Sequence, residues 1–483
     1  MLFNSLEYLL FLPLVVILYF TFPAKWRWLL LLVASYIFYM SWKMEYVILI
    51  AFTTLVDYLV ALKIGAQTVK RKKKFWLILS LVINLGMLAG FKYLNFFADT
   101  VNMFFNATGA SPPFSLYKIL LPVGISFYIF QSLSYTIDVY RGYKKPETHL
   151  GKFALYVSFF PQLVAGPIER STSLLPQIHQ PLEFDEARLV SGLKLMLWGF
   201  FKKLVIADRL GMFVSYIYEN PGQHNGIPVI LATMLFAFQL YCDFSGYTDI
   251  ARGSARLMGY DLMINFNRPL IARSLRDFWN RWHISLTTWF RDYVLYSLPY
   301  IHQKKVITWK VHRNLVITFL LMGFWHGAAW TFIIFGLFHG LMLVLEAVAE
   351  RPVALIYERT GLSRFPKIKN GLGIFYTFTT LTFSLFFFRA NSLTDSDLLM
   401  LKAFDFSNTT ASIRLLLRNN ELIFGILMIA VLLLVEQYHD RHNLIQKIAS
   451  KPLALRWSVY IGFVFFILLF GVLHNQKFIY FQF

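Results

Sequence analysis

The sequence is poor in charge and has almost no cysteine. Only 15% of its 483 residues are charged, and the acidic residues are scarcest, with 26 Asp and Glu against 46 Lys and Arg. Cys242 is the single cysteine, which excludes an intrachain disulfide and a thiolate metal cluster. We expect Cys242 to be a small, inert apolar residue.

Motifs of several enzyme classes are absent as well. The chain has no GxxxxGK[ST] phosphate-binding segment and no HExxH zinc-protease segment. A GxSxG nucleophile turn is missing too, since Ser245 is followed by Gly246 but preceded by Asp243-Phe244. A P-loop NTPase, a zinc protease and a GxSxG serine hydrolase therefore find no support.

Apolar residues dominate what is present. They make up 57% of the chain, with 50 Phe, and the mean hydropathy is +0.54. This composition is typical of a multi-spanning membrane protein. The net charge of +20 comes from short basic clusters between apolar runs, which suit cytoplasmic loops on anionic lipid. We therefore expect contact with membrane lipid and no nucleic-acid partner.

We predict an all-α, polytopic membrane protein that forms a single domain over residues 1–483. Lys25 and Arg27 follow the first apolar run and no basic residue precedes it, which predicts a retained span and an external N-terminus. The basic loop 63–74 marks the cytoplasmic side. We count about eleven transmembrane helices, with clear apolar runs at 8–24, 28–42, 46–62, 76–97, 187–210, 226–258, 371–388, 421–437 and 456–473.

The stretch 121–171 mixes apolar and helix-breaking residues. LPVGISFYIFQSLSYTIDVYRGYKK carries Ser, Gln, Tyr and Asp side chains, and Pro161, Gly166 and Pro167 interrupt the short run that follows. Non-helical backbone at membrane depth is tolerated only where protein or a cavity surrounds it. We therefore predict re-entrant pieces that line an interior cavity, with kinked ordinary spans as the alternative.

Polar residues also crowd the end of the run 226–258. Asp249 and Arg252 are three residues apart, so they share a helix face and can pair, although a solvated helix end is the alternative. In the stretch 259–312, which contains His283, arginines alternate with Trp and Phe. This pattern is typical of interfacial helices in the headgroup layer.

The longest apolar run holds a histidine. No Lys, Arg, Asp or Glu occurs from Asn314 to Leu345, and His326 lies near the middle, beside Gly327-Ala328-Ala329. About 20 residues cross a bilayer, so the run is a tilted span or two segments that meet at the small residues. An ionisable side chain at this depth points to function. A structural role stays open, because His339 lies in a similar setting.

His326 and His283, one deep and one interfacial, suit acyl transfer if a cavity joins them. A hydroxyl is a poor nucleophile, and an imidazole with a pKa near 6.5 can take its proton as the oxygen attacks a thioester. A dry site also protects the thioester from water. Two histidines are too few for a metal, and Asp277 and Asp292 lie outside the apolar core, so we expect no metal site.

Two motifs carry a resemblance to a known family. FWNRWHISLTTWFRDY (278–293) and FWHGAAW (324–330), with the two histidines 43 residues apart, are similar to the membrane-bound O-acyltransferase (MBOAT) family. Within it, the chain resembles the membrane subunit of alginate O-acetylation, its relatives for peptidoglycan and other exopolysaccharides and, more distantly, the D-alanyl transferase of teichoic acids. Further matches are LPVGISFYIFQSLSYTIDVYRG (121–142), FPQLVAGPIER (160–170), DFSGYTDIARG (243–253), NFNRPLIARS (265–274) and FIYFQF (478–483).

The resemblance implies a helical fold around a central tunnel, with His326 as the buried catalytic histidine and His283 as the other family histidine. It implies a donor on the cytoplasmic side, an acceptor approached from outside and a periplasmic or extracellular, esterase-like partner protein. After Arg291-Asp292-Tyr293 the alginate-type relatives continue with a PLGG-like turn, whereas this chain reads VLYSLPYIHQKK. The subfamily and the acceptor therefore stay open.

Together these inferences predict a multi-pass enzyme of the bacterial inner membrane. It would move an acetyl group from acetyl-CoA, without a bound cofactor, toward hydroxyls of an alginate-like exopolysaccharide, of peptidoglycan or of a partner protein. His326 would be the general base and His283 would position donor or acceptor; an acyl-enzyme on the imidazole is the less favoured route. The alternatives are a D-alanyl transferase fed by a carrier protein and a transporter without chemistry.

Overall fold

The computed structural model describes residues 1–483 except 116–119, 165, 181, 300–307, 408, 443, 474–477 and 480–483. The described part of the chain is helical and contains no β-strand. Its α-helices are α1 (Leu6–Thr21), α2 (Arg27–Met40), α3 (Val47–Ala66), α4 (Lys70–Leu88), α5 (Leu94–Ala107), α6 (Ile125–Arg141), α7 (Leu150–Ser158), α8 (Phe160–Leu163), α9 (Ser171–His179), α10 (Glu186–Phe200), α11 (Asp208–Tyr218), α12 (Ile227–Leu257), α13 (Leu275–Arg281), α14 (Ile284–Trp289), α15 (Thr308–His326), α16 (Trp330–Arg359), α17 (Pro366–Arg389), α18 (Leu393–Ala403), α19 (Thr409–Leu417), α20 (Asn420–His442), α21 (Leu444–Ala449) and α22 (Leu453–Phe470).

Some of the helices are long enough to cross a membrane and others are not. Seven helical runs of the described residues are long and apolar enough to cross a membrane, and α1 is apolar but shorter. The predicted all-α, polytopic membrane fold is confirmed. The number differs from the eleven expected because some predicted spans are short helices, such as the 14-residue α2. Another, at 187–210, continues from α10 through the π-helical segment Phe201–Ala207 into α11.

The long apolar run 312–346 folds as two helices. α15 ends at His326 and α16 begins at Trp330, so the chain breaks at the three small residues between them. A Cβ added to Gly323 would meet the carbonyl oxygen of Phe332 and lie 2.8 Å from Gly336 Cα. The two glycines therefore let the helix backbones touch, as small residues do between membrane helices. Of the two alternatives, a pair of segments meeting at the small residues is confirmed.

The stretch after Leu121 forms short helices inside the protein. Gly124, at φ 75°, directly precedes α6, and a Cβ there would lie 2.6 Å from the carbonyl oxygen of Leu163. Only glycine accepts both that backbone conformation and that contact. α7 and α8 are separate helices, and the Gln162 amide donates to the Tyr156 carbonyl at 2.8 Å. The broken backbone is thus surrounded by protein, as predicted for this stretch.

Ion pairs are buried between α10, α11 and α12. The Lys203 ammonium lies 2.7 Å from Asp208 and 2.6 Å from Asp243, and these three side chains are almost fully buried. Lys202 pairs with Asp249 at 2.6 Å, and Arg252 pairs with the same carboxylate at 3.3 Å. The predicted Asp249–Arg252 pair is therefore confirmed.

The alternative of a solvated helix end is wrong for this part of α12. Asp243, Ser245 and Tyr247 are buried, with exposed fractions of 1%, 2% and 1%. α12 continues to Leu257, so these residues lie well inside the helix and face α10 and the π-helical segment after it. The charges of Lys202 and Lys203 are neutralised inside the bundle by this face of α12.

The aromatic residues of 259–294 also differ from expectation. Phe278, Trp279, Trp282, Trp289 and Phe290 have exposed fractions between 1% and 6%, so their rings pack against protein and are not exposed to lipid. The helices that carry them are short, as α13 has seven residues and α14 has six. Short helices placed against long ones can bury aromatic faces on all sides, and the position of this segment at the headgroup layer stays a prediction.

Candidate active site

His326 lies at the end of a helix and at the boundary of two cavities. It is the last residue of α15, and only 5% of its surface is exposed. One cavity of about 190 Å³ and a second of about 20 Å³ both include His326 in their lining. The ring is therefore neither turned toward lipid nor sealed away from open space.

The larger cavity lies between the start of α6, the bend after α4 and the end of α15. Its volume corresponds to roughly six water molecules at about 30 Å³ each. Its wall is mostly apolar and includes the loop before α6, and its lining residues are Trp42, Lys92, Leu120, Leu121, Pro122, Val123, Gly124, Ile125, Ser126, Phe127, Val164, Trp325 and His326. The predicted role of 121–171 in lining an interior cavity is thus confirmed for its first residues and for Val164.

The smaller cavity shares His326 with the larger one, and its other lining residues are different. With about 20 Å³ it has room for about one water molecule. Aromatic and aliphatic side chains enclose it, and its lining residues are Ala237, Leu240, Phe278, Trp279, Trp282, His326, Phe335, Leu381, Leu385 and Phe388. His326 is the residue that the two cavities share among the described lining residues, so it stands where they approach each other.

His283 occupies a bend between α13 and α14 that is tied to a distant segment. Its φ is 43°, a left-handed value that histidine, asparagine and aspartate adopt more readily than most residues. On its C-terminal side, Ile284 N–H donates to the Asn265 carbonyl at 2.9 Å. Ser285 donates to the Asn265 side-chain oxygen from its N–H at 3.0 Å and from its hydroxyl at 2.9 Å. Asn265 therefore fixes the bend that sets the direction of the His283 side chain.

The two predicted site residues meet around one tryptophan. The Trp325 ring centroid lies 5.1 Å from that of His326 and 6.1 Å from that of His283, and both contacts are edge-on. His283 is fully buried and is absent from the lining of both cavities. The structure thus brings both histidines to one place, with His326 at the open space and His283 behind it.

Phe3, near the N-terminus, and Phe478, near the C-terminus, pack close to Phe244, whose ring contacts His283. Phe244 meets His283 edge-on at 4.7 Å and meets Phe478 at 5.4 Å. Tyr247 is stacked with Phe478 at 4.6 Å and with Phe3 at 4.4 Å. The FIYFQF motif thus begins inside the core, where Ile479 N–H donates to Asp243 at 2.9 Å. Its residues 480–483 lie outside the described part.

His339 lies on the same pair of helices but in a different environment. Its Nε2 lies 2.9 Å from the Ser384 hydroxyl, and the residue is fully buried. Trp279, Phe335 and Phe338 surround its ring with centroid distances of 5.1, 4.7 and 5.7 Å. It lines neither cavity. His339 therefore has the features of a buried structural histidine, whereas His326 has those of an accessible base.

Lys92 is a site residue that the sequence analysis missed. It lies on the π-helical segment Ala89–Tyr93, and its ammonium donates to the carbonyls of Trp325 at 2.7 Å and of His326 at 3.0 Å. The signal was present, because Lys92 falls inside the predicted span 76–97 and ionisable residues in spans point to function. In the described residues, no group of three or more His, Cys, Asp or Glu side chains is arranged to hold a metal ion.

Comparison with known proteins identifies the family. The family model for membrane-bound O-acyltransferases matches residues 143–388, just over half of the chain and a range that contains both His283 and His326. The chain belongs to the membrane-bound O-acyltransferase family. It is therefore an O-acyltransferase and a multi-pass membrane protein.

Similar proteins carry three different names. The chain is 43% identical to a probable alginate O-acetylase, AlgI, of Azotobacter vinelandii, over 72% of this chain and 68% of the relative. It is 35% identical to a peptidoglycan O-acetyltransferase of Helicobacter pylori, over 79% of this chain and 73% of the relative. A teichoic acid D-alanyltransferase of Streptococcus thermophilus is 33% identical, over 55% of this chain and 68% of the relative. The similarity is broadest toward the O-acetyltransferases.

Proposed function

We propose that this O-acyltransferase moves an acetyl group from acetyl-CoA on the cytoplasmic side toward hydroxyls of a cell-surface polysaccharide, from the bacterial inner membrane. The observation that carries the proposal is the place of His326, buried at 5% exposure and bordering two cavities. A base at such a boundary can meet a donor from one side and an acceptor from the other. The acetyl group is favoured because the two O-acetyltransferase relatives match 72% and 79% of this chain, against 55% for the D-alanyltransferase.

The basic loop supports the proposed direction of transfer. Trp42, which lines the larger cavity, lies just before α3, and the cluster Lys70–Lys74 follows the far end of that 20-residue helix. A helix of this length spans about 30 Å. If the basic cluster is cytoplasmic, as the positive-inside rule predicts, the larger cavity faces the outside and receives the acceptor. The thioester would then reach His326 from the cytoplasmic side.

His326 would act as the general base. The acceptor oxygen attacks the thioester carbonyl and forms the new C–O bond while its proton passes to the imidazole. The C–S bond then breaks, and the leaving thiolate takes that proton to become a thiol. General-base assistance of this kind is worth about 10²–10⁴-fold in rate. The apolar walls of both cavities limit hydrolysis of the thioester.

His283 would position the reacting groups without lining either cavity. Its ring and that of His326 both contact Trp325, so a change at His283 reaches the base through one side chain. Replacement by asparagine tests this role, because asparagine also tolerates the left-handed backbone at this bend. We expect His283→Asn to lower kcat/KM while the protein remains folded. Wild-type kcat/KM in this variant would exclude the role.

A periplasmic or extracellular, esterase-like protein would complete delivery to the polysaccharide. The larger cavity holds only about 190 Å³, which suits one small group and not a folded domain. A partner at the outer surface would therefore present a hydroxyl to this cavity or collect the acetyl group from it. Partner hydroxyls remain the second candidate acceptor.

Inside-out membrane vesicles from the source bacterium test the donor. Acetyl-CoA labelled in the acetyl group is supplied at the cytoplasmic face, and base-labile label is measured in polysaccharide and protein. We expect ester-linked acetyl in the polysaccharide, and only background with His326→Gln vesicles. A membrane that uses carrier-bound D-alanine and no acetyl-CoA would support the D-alanyl transferase instead. Unchanged acetylation with His326→Gln would favour a transporter without chemistry.

A further inference from the structure

The end of α15 is held by a segment that is distant in sequence. The Tyr93 hydroxyl donates to the Phe324 carbonyl at 3.0 Å. The Lys92 amino group donates to the carbonyls of Trp325 at 2.7 Å and of His326 at 3.0 Å. The last carbonyls of an α-helix have no partner inside the helix and need donors from elsewhere. Two neighbouring residues of the π-helical segment after α4 thus cap three consecutive carbonyls, and the third belongs to the proposed base.

The end of α15 lacks the kind of glycine cap that ends α6. Gly142 follows α6 with a left-handed φ of 79°, and its N–H donates back to the helix. Gly327 follows α15 at the same position, but it is not among the described glycines that have a positive φ. The next two residues are alanines, which have no polar side-chain atom. Lys92 and Tyr93 therefore replace a cap that the local sequence does not form.

Aromatic contacts bring the same segment against both helices of the junction. The Tyr93 ring stacks on the Phe324 ring with a centroid distance of 4.1 Å. The Phe96 ring, on α5, lies 6.0 Å from the Phe324 ring and 5.6 Å from that of Trp330, the first residue of α16. These rings set the distance between the segment and the junction, and so keep both donors within reach of the carbonyls.

The residue that is capped in this way also borders the cavities. Lys92 lines the larger cavity together with His326, so the cap lies next to the space where the reacting groups would meet. Helix ends fray readily. The backbone at the end of α15 sets the place of the imidazole, and a displacement of about 1 Å in an active site can cost about 10²-fold in rate.

We propose that Lys92 is a positioning residue for the reaction: its amino group, together with the Tyr93 hydroxyl, holds the last turn of α15 and so keeps the His326 imidazole at the larger cavity. The inference rests on the proposed role of His326 as the general base. Lys92 acts on that base through its backbone and forms no bond with the reacting groups. Its removal therefore changes the rate of the chemical step and not the binding of the donor.

Steady-state transfer in inside-out vesicles tests this role. The source bacterium carries either the full wild-type chain or one variant in its place, and ester-linked label in the endogenous polysaccharide is measured while labelled acetyl-CoA is varied. We expect Lys92→Met to lower kcat about 10- to 100-fold, with the KM for acetyl-CoA within about twofold of wild type. Lys92→Arg keeps N–H donors for both carbonyls and should recover most of the loss. Tyr93→Phe removes one donor and keeps the stacked ring, so kcat should fall about 2- to 10-fold.

Backbone hydrogen exchange shows whether the end of α15 is loosened. The full-length protein is measured in nanodiscs, as wild type and as Lys92→Met. We expect faster exchange in the variant over residues 323–329 and unchanged exchange in α20. Lys43→Met is the matched control, because Lys43 lies over the Tyr46 ring at 5.1 Å and is not among the described lining residues. This control should keep the kcat and the exchange of the wild type.

The outcomes separate this inference from the proposed function. Wild-type kcat in Lys92→Met, or in Tyr93→Phe where Lys92→Met does not fold, would overturn the inference. A raised KM with unchanged kcat would make Lys92 a substrate contact and overturn it too, as would unchanged exchange at the end of α15. If His326→Gln keeps wild-type transfer, the proposed function itself fails. If His326→Gln is inactive and Lys92→Met is fully active, only the positioning role fails.

Discussion

His326 and His339 lie 13 residues apart on one pair of helices, and the comparison between them separates burial from function. Both are nearly or fully buried, with exposed fractions of 5% and 0%. His339 has its Nε2 on a serine hydroxyl and rings on several sides, whereas His326 borders two cavities. Depth in the membrane does not by itself mark a catalytic histidine. The proposed function instead relies on access to open space, which His326 has and His339 lacks.

Two lysines of the helix bundle show a similar contrast. Lys203 lies between Asp208 and Asp243, so its charge is neutralised by protein. Lys92 lies against helix carbonyls at the edge of a cavity. The first arrangement pairs opposite charges between helices, and the second pairs an amine with uncharged carbonyls. Both contrasts lead to predictions.

The largest effect is expected from matched substitutions of the two histidines. His326→Gln removes the base and should lower kcat by about 10²–10⁴-fold. His339→Gln keeps a group that can bond to Ser384, so its kcat should stay within about threefold of wild type. Acyl transfer is measured in membranes that contain equal amounts of each protein. Equal losses in the two variants would show that the contrast is wrong.

Breaking the closed lysine cluster should strongly destabilise the fold. Lys203→Met leaves Asp208 and Asp243 buried without their cation, which costs about 3–5 kcal/mol. Thermal unfolding in detergent, followed by size-exclusion chromatography, measures the loss. Lys92→Met should unfold closer to the wild-type temperature, because it leaves no buried carboxylate behind. The triple variant Lys203→Met, Asp208→Asn, Asp243→Asn should recover part of the loss, and failure to do so would argue against the ion pairs as its cause.

A smaller effect is expected at the contact between α15 and α16. Gly323→Val places side-chain atoms against the backbone of Phe332 and Gly336, and it should cost about 1–3 kcal/mol and displace His326. Gly86→Ala is the control, since a Cβ there meets nothing within 4 Å. Unfolding temperature and acyl transfer are measured together. A Gly323→Val protein with wild-type values for both would mean that the helices do not touch at this point.

The smallest effect is expected at Ser384. Ser384→Ala removes the hydroxyl that lies 2.9 Å from His339 and should cost about 1 kcal/mol in stability. Acyl transfer should be unchanged, because neither residue lines a cavity. A loss of activity without a loss of stability would indicate that His339 belongs to the active site. The contrast between His339 and His326 would then be wrong.

Much of the fold could be predicted because apolar runs and small residues are local signals. The break at Gly327-Ala328-Ala329, the broken backbone after Leu121 and the pair Asp249–Arg252 each depend on residues close in sequence. The sequence did not predict that Trp279 and Trp282 are buried against protein, because a Trp face suits lipid and protein equally well. Local pattern therefore predicts which segments are helical and does not tell which neighbour covers them.

Some residues of the candidate site could likewise be predicted from the sequence, and one could not. His283 and His326 could be selected from their motifs, and the structure places both around Trp325. Lys92 could have been flagged as an ionisable residue in a span, but its partners lie more than 230 residues away in the chain. No local pattern relates positions so far apart, so its place beside the base could only be read from the folded molecule.

By itself, the sequence determined a helical membrane protein with a histidine deep in its longest apolar run, because hydropathy and helix length depend on neighbouring residues. Only the tertiary structure decided that His326 borders open space while His339 is enclosed, and that Lys203 is neutralised while Lys92 faces a cavity. The reason is physical: cavities and charge compensation are formed by side chains from several helices, and their positions are set by packing.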